Sequence, residues 1–252
     1  MKPYDGYAVF FDVGGTLMYS NPPVPEVFVE VARRFGYDFA VEDVAPWMDE
    51  AVLYYAQEYE RDGDFWCDND RAAKIWKDMY ALIARGLGID DDSVVKNLSQ
   101  QIYDEYLDPS CWSFFDEVPK CLETLKSKGY RLGVISNWDC SLEGVLRGLG
   151  WYDSFDVVVA SADVGCRKPH PEIYELALRR MGVEARKAFH VGDTLEADGA
   201  AKDVGILPIM VDRYGWIGET DLPCIQTLEE LPDMLDGILN ESDGEPEIRS
   251  TP

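Results

Sequence analysis

The sequence predicts an α/β chain, a doubly wound parallel sheet with a small helical bundle inserted after its first strand. Three observations carry this. Short apolar runs rich in Val, Ile or Phe recur at about residues 7–11, 131–136, 156–160, 187–191 and 206–211, as strands buried on both faces should. Helical stretches separate the later runs, and strand alternating with helix means right-handed crossovers and a parallel sheet. The alternation is interrupted once, between residue 19 and about 111, by four apolar stripes at helical spacing.

The first run, Tyr7 to Phe11, ends in Asp12, Val13, Gly14, Gly15, Thr16 and Leu17. The stripes follow: Val24, Val27, Phe28, Val31 and Phe35; then Met48, Val52, Tyr55 and Tyr59; then Ile75, Met79, Leu82 and Ile83; then Val94, Leu98 and Ile102. Each marks one face of an amphipathic helix. Beyond them, a helix over 117–128 should stop at Gly129. Another over 171–181 should open on Pro171 and stop at Gly182, in keeping with helix start and stop chemistry. From Glu241 the chain turns polar and acidic, and a disordered tail is expected there. The expected organisation is therefore a sheet domain of residues 1–18 and 112–240, a helical unit of 19–111, and a tail of 241–252. No internal repeat is visible.

Composition narrows the function classes. Hydrophobic residues make up 46% of the 252, enough for a packed core. Acidic side chains number 48 against 23 basic ones, a formal net charge of −25. Such a field repels nucleic acid and anionic membranes, which are bound chiefly through Lys and Arg. It repels phosphate esters too, so an anionic substrate would need a cation and locally placed lysines. The six cysteines are scattered, without a Cys-x-x-Cys pair, and the histidines are only His170 and His190. Neither a zinc site nor a disulfide framework is expected. No leader or membrane span is evident, so the expected setting is the cytoplasm.

Four segments end apolar runs in polar residues. Asp12 would sit at the carboxyl end of a parallel strand, where ligand sites of open α/β sheets form, and a carboxylate can act there as a covalent nucleophile. Ser136 and Asn137 end the second strand, offering a hydroxyl and backbone N–H groups to an oxyanion. Lys168 precedes Pro169, which restricts its backbone to extended conformations and helps aim the ammonium inward. Asp193 and Asp198 follow the fourth strand, and carboxylates clustered near Asp12 repel unless a divalent cation holds them. Mg²⁺ suits such hard oxygen ligands.

In order and rough spacing these segments resemble the haloacid dehalogenase superfamily of aspartate-nucleophile hydrolases, over nearly the whole chain outside its tail. The resemblance implies a Rossmann-like core with a helical cap between the first and second motifs. It implies that Asp12 is the nucleophile and that Lys168 neutralises it and the transferred group. Gly15, Thr16, Ser136, Asn137 and Lys168 would hold the substrate. Mg²⁺ would lie on Asp12, Asp193 and the backbone carbonyl of Gly14, with Asp198 a ligand or an outer partner. A small phosphorylated metabolite would pass through an aspartyl-phosphate; oligomeric state is not readable.

One position departs from the phosphatase pattern. Where the family's phosphatases carry an aspartate that protonates the leaving oxygen and activates water, this chain has Gly14. That help is worth about 10²–10⁴ in rate. Three readings follow. One is a Mg²⁺-dependent phosphatase suited to good leaving groups. Another is a dehalogenase or a phosphonate-cleaving enzyme, both of which lack that aspartate. The last is a non-catalytic binder of a phosphorylated ligand or protein. The phosphonate-cleaving reading needs a cap lysine, for which Lys74 and Lys77 are on offer. Glycine at 14 also allows a backbone conformation closed to aspartate.

Among the remaining residues, Glu196 is assigned to helix N-terminal charge, His170 to structure and His190 to a buried hydrogen bond. Trp47, Trp66 and Trp76 are expected in the bundle core or facing the site. Asp68 to Arg71 read as a solvated helix start, and Trp138 and Asp139 as neighbours of the site entrance.

Overall fold

The computed structural model describes residues 4–241; the acidic tail from 242 lies outside the described residues. Five strands form as the apolar runs require: β1 (Ala8–Phe11), β4 (Arg131–Ser136), β5 (Val157–Ala160), β6 (Ala188–Gly192) and β7 (Leu207–Val211), joined at one edge by β8 (Cys224–Ile225). The central sheet runs β5-β4-β1-β6-β7-β8, and each neighbouring pair is parallel. In β1, Val9 and Phe11 pack into one apolar cluster while Ala8 and Phe10 pack into another across the sheet. Both faces are therefore covered, by α5 (Val118–Lys128), α6 (Leu142–Gly148) and α10 (Leu231–Glu241) on one and by α8 (Pro171–Met181) on the other. Single turns α7 (Ser161–Val164) and α9 (Leu195–Asp198) follow β5 and β6. The predicted stops hold: Gly129 and Gly182 are both left-handed, at φ 106° and 66°.

The interruption forms α1 (Val24–Arg34), α2 (Val41–Asp62), α3 (Asn69–Gly86) and α4 (Asp92–Glu105), with an apolar cluster of their own that includes Phe28, Ile75, Ile83, Leu98 and Ile102. None of residues 19–111 enters the central sheet. The sequence reading missed the joint between the two parts. There β2 (Met18–Ser20) leaves β1 and pairs antiparallel with β3 (Trp112–Phe114), where the chain returns. Three-residue strands are too short to carry a hydrophobic period. Tyr103 donates to Asp139 (2.8 Å), Ser161 donates to the Trp66 carbonyl (2.7 Å), and the Cys140 N–H donates to Asn69 (2.6 Å). These bonds hold the bundle over the carboxyl ends of the strands.

Candidate active site

Three neighbouring strand ends assemble the floor of a cleft. Phe11 is in register with Val134 of β4 and Val191 of β6, so Asp12, Ser136 and Asp193 emerge side by side, and the Asp12 N–H donates to the Val191 carbonyl (2.8 Å). Ser136 Oγ donates to Asp12 Oδ1 (2.9 Å), and Lys168 Nζ donates to the same oxygen (2.7 Å) and to Asp198. Asn137 lines the cleft with both ends of its side-chain amide engaged. Its amide donates to the Lys168 carbonyl (3.0 Å) and accepts from the Lys168 N–H (2.8 Å), bracing the segment that carries the lysine. Gly15 and Thr16, expected against the substrate, are not among the cleft-lining residues. Thr16 is fully buried. Gly15 makes the tight turn at φ +75°, where a Cβ would collide with the Asp193 carboxylate.

The floor is charged and nearly dry. Burial raises the pKa of Asp12 against the pull of Lys168. Burial alone would deprotonate Lys168, but Asp12 and Asp198 hold its pKa above the ordinary lysine value. Asp198 would be raised by burial as well, yet Lys168 and His190 hold it well below the usual carboxylate range. Both of its oxygens are bonded: Oδ1 to Lys168 and to His190 Nε2 (2.8 Å), Oδ2 to the Thr194 N–H (2.9 Å). Because an ionised carboxylate only accepts, His190 carries its proton on Nε2. His190 is thus the buried, hydrogen-bonded histidine the sequence suggested.

Asp193 has no ion-pair partner among the described residues. Burial, then the charges of Asp12 and Asp198, push its pKa up to about 7. A carboxylate this unwilling to ionise beside two others marks a place that a divalent cation would neutralise. Ligand oxygens of Asp12, Asp193 and Asp198 all lie within 4.8 Å of one another, and the donors are all hard oxygens. The residues therefore fit Mg²⁺, with Asp12 and Asp193 the better placed since the oxygens of Asp198 are already engaged.

Over the floor stands a cleft of about 1020 Å³, which Gly14, Trp138, Asp139, Arg167 and Glu196 enter from below and Val52, Tyr55, Tyr59, Glu60, Trp66 and Trp76 from the bundle. Gly14 faces Trp138. Its backbone is not left-handed, and a Cβ built on it lies 3.6 Å from the indole, an ordinary contact. The conformational demand expected at 14 belongs instead to Gly15. Arg167, whose flanking position gave little signal, donates to Asp64 (3.1 Å) and to the Tyr59 hydroxyl (3.0 Å), tying floor to bundle. Exposed His170 joins the same carboxylate at 3.2 Å. Arg213 donates to the Gly15 and Thr16 carbonyls (3.1 and 2.8 Å) and pairs with Glu117, holding the Asp12 loop from behind. Only its place just past β7 (residue 211) hinted at this. Lys74, Lys77 and Arg71 do not line the cleft: Lys74 pairs with Asp78, Lys77 reaches Gln100, and Arg71 pairs with Asp62.

Comparison with known proteins adds to this geometry. Residues 8–205 match the family model of haloacid dehalogenase-like hydrolases. The chain is 32% identical over 188 residues to haloacid dehalogenase-like hydrolase domain-containing protein 3 of Mus musculus, covering 75% of this chain and 74% of that protein. It is 33% identical over 150 residues to glyceraldehyde 3-phosphate phosphatase of Pyrococcus furiosus, covering 56% and 62%. Among solved structures, a HAD phosphatase from Thermococcus onnurineus superposes with a TM-score of 0.62 at 26% identity, over 92% of this chain and 98% of that one. No helix among the described residues is long and apolar enough to cross a membrane.

Proposed function

Because the chain belongs to the haloacid dehalogenase-like hydrolase family, we propose that it is a Mg²⁺-dependent phosphatase of small phosphorylated molecules, working through an aspartyl-phosphate on Asp12. The observation that carries this reading is the lone, unneutralised Asp193 beside an Asp12 already fixed by Ser136 and Lys168. A dehalogenase-type reaction needs no metal, and a metal-free site would gain nothing from a third, half-buried carboxylate. The phosphatase names borne by two similar proteins support the same direction.

In this mechanism the Asp12 carboxylate attacks phosphorus, the phosphorus–oxygen ester bond breaks, and the alkoxide leaves. Water then cleaves the acyl phosphate and restores Asp12. Lys168 neutralises Asp12 and the incoming phosphoryl charge. Asp198 and His190 fix Lys168, and Asn137 fixes its backbone. Ser136 orients Asp12. Mg²⁺, held by Asp12, Asp193 and the Gly14 carbonyl, would neutralise the phosphoryl oxygens; Asp198 serves from behind, through Lys168. The helical unit of 19–111 acts as the cap that selects the substrate, and six free cysteines fit a reducing cytoplasm.

The test pairs an aryl phosphate with a 2-haloacid, each with and without Mg²⁺, using Asp12→Asn as the blank. Turnover of the phosphate only with metal is expected. Metal-independent release of halide would sink the phosphatase reading and favour the dehalogenase one that Gly14 keeps open. Binding of phosphate without turnover would favour a non-catalytic descendant. The phosphonate-cleaving reading loses support with both bundle lysines outside the cleft.

A further inference from the structure

Resting on the phosphatase reading, we infer that the substrate is the monophosphate of an aromatic or similarly flat apolar alcohol, with no second anionic group. The cleft is large for a short polar ester, since pockets of about 300–1,000 Å³ hold drug-sized ligands and this one reaches about 1020 Å³. Nine aromatic side chains line it. They form two runs of ring contacts. Trp138, Trp112, Tyr106 and Tyr80 follow one another at centroid distances of 4.8, 5.8 and 6.4 Å. Tyr55, Trp76 and Trp66 stand at 6.0 and 5.9 Å.

What those rings can offer is decided by where their polar tips point. Trp66 donates to the Tyr55 hydroxyl, Trp112 to the Tyr106 carbonyl and Trp138 to Ser141. Tyr103 donates to Asp139 and Tyr106 to the Pro22 carbonyl. These five donors are spent inside the protein, which leaves the faces and edges of their rings for the ligand; the Tyr55 and Tyr59 hydroxyls accept from Trp66 and Arg167, and the Tyr80 hydroxyl and Trp76 N–H are not among the five. A short polyol phosphate would leave such apolar walls facing water.

Charge excludes a second anion. The basic residues lining the cleft are Lys168, committed to Asp12 and Asp198, and Arg167, committed to Asp64 and Tyr59. Glu60 and Glu196 line the same cleft. One phosphoryl group is provided for at the floor, and a further phosphate or carboxylate on the tail would meet acid without a free base.

The experiment compares 2-(2-naphthyl)ethyl phosphate with propyl phosphate. Their alcohols are of similar acidity, so the effect of Gly14 on the leaving group cancels. The naphthyl ester should have a kcat/KM about tenfold or more higher, as burial of one aromatic ring implies. Trp76→Ala should reduce that ratio several-fold. So should Val52→Asp, which changes a side chain 57% exposed at the cleft wall and spares the core. Binding of 2-(2-naphthyl)ethanol is followed in parallel by saturation-transfer NMR on the intact chain. Equal turnover of the two esters, or a preference for propyl phosphate, overturns the aromatic assignment while leaving the phosphatase reading intact. Naphthylethanol binding that Val52→Asp weakens, with no ester hydrolysed, upholds the aromatic site and overturns the phosphatase reading. Neither binding nor turnover overturns both.

Discussion

The two ends of the cleft are built on opposite principles. At the floor, Asp12, Lys168, Asp198 and His190 come from three separated segments and meet through charge-assisted bonds, all four buried. At the wall, Tyr55 of α2, Trp76 of α3 and Trp66 between those helices meet through faces and edges, and the Trp66 N–H turns back to the Tyr55 hydroxyl. The floor fixes charge and tolerates no missing partner, because a buried ion left alone costs more than the pair contributes. The wall fixes shape, and truncating one ring leaves a void that neighbours partly fill. Chemistry should therefore be lost abruptly at one end and selectivity gradually at the other.

The hardest test of that contrast is Lys168→Ala. It strips the counter-charge from Asp12 and Asp198, so the metal-free protein at pH 8 should lose about 3–5 kcal/mol in urea unfolding, and the Mg²⁺-supplied protein should lose its turnover. A variant that kept wild-type stability would show that the floor is held by packing, as the wall is, and the comparison would fail.

Mg²⁺ should act on the floor alone. At about 100 times its Kd the ion stabilises by about 2.7 kcal/mol if it binds only the folded chain, and Asp193→Asn should lose most of this. The metal-free protein should behave in the opposite sense with pH. Asp193 has its folded pKa pushed up to about 7 from 3.8, so the folded state binds more protons between those values. Stability should then fall as pH rises from about 4 to 7. Thermal scans at pH 6 and pH 8 check this. Asp193→Asn should flatten the difference, and Mg²⁺ at pH 8 should reverse it. A melting temperature indifferent to saturating Mg²⁺ would mean that Asp193 has another task.

The same contrast explains what could be read from the residues alone. Asp12, Ser136 and Asp193 stand where strands end, and a strand buried on both faces is a contiguous apolar run that localises its own terminus; Lys168 lies instead in the segment before α8. Four amphipathic helices were legible from their stripes. The stripes could not show which of their rings turn away from the bundle core, since Tyr55 and Trp76 obey the same period whether they pack or face a cleft. The bracing role of Asn137 was not legible because its side-chain partner is the backbone of Lys168, 31 residues along. Arg213 was missed because it braces carbonyls nearly two hundred residues away, a contact no local pattern encodes. Gly14 and Gly15 look alike in sequence, and only the fold separates the one that must be glycine from the one that need not be.

That separation gives the smallest and most pointed prediction. Gly15 is held at φ +75° with Asp193 against its missing Cβ, so Gly15→Ala should damage the floor. Gly14 carries neither constraint: its Cβ would meet Trp138 at 3.6 Å, and its backbone is not left-handed. Gly14→Asp should therefore fold and place a carboxyl at the mouth of the floor, where the wall begins. Without an acid there, the leaving oxygen departs unprotonated, and esters of acidic alcohols are favoured. The new aspartate should raise kcat/KM for alkyl phosphates by about tenfold, at the low end of what a general acid contributes, and aryl phosphates by less. The gain is held to that because the side chain must share its space with the Trp138 indole, itself tied to Ser141 and packed on Trp112. Trp138→Phe in the same background, which frees the indole's hydrogen bond, should enlarge it. Equal rates on alkyl and aryl phosphates in the natural protein would mean that an acid already stands in the cleft. Glu60 and Glu196, both lining it, would be the next carboxylates to replace.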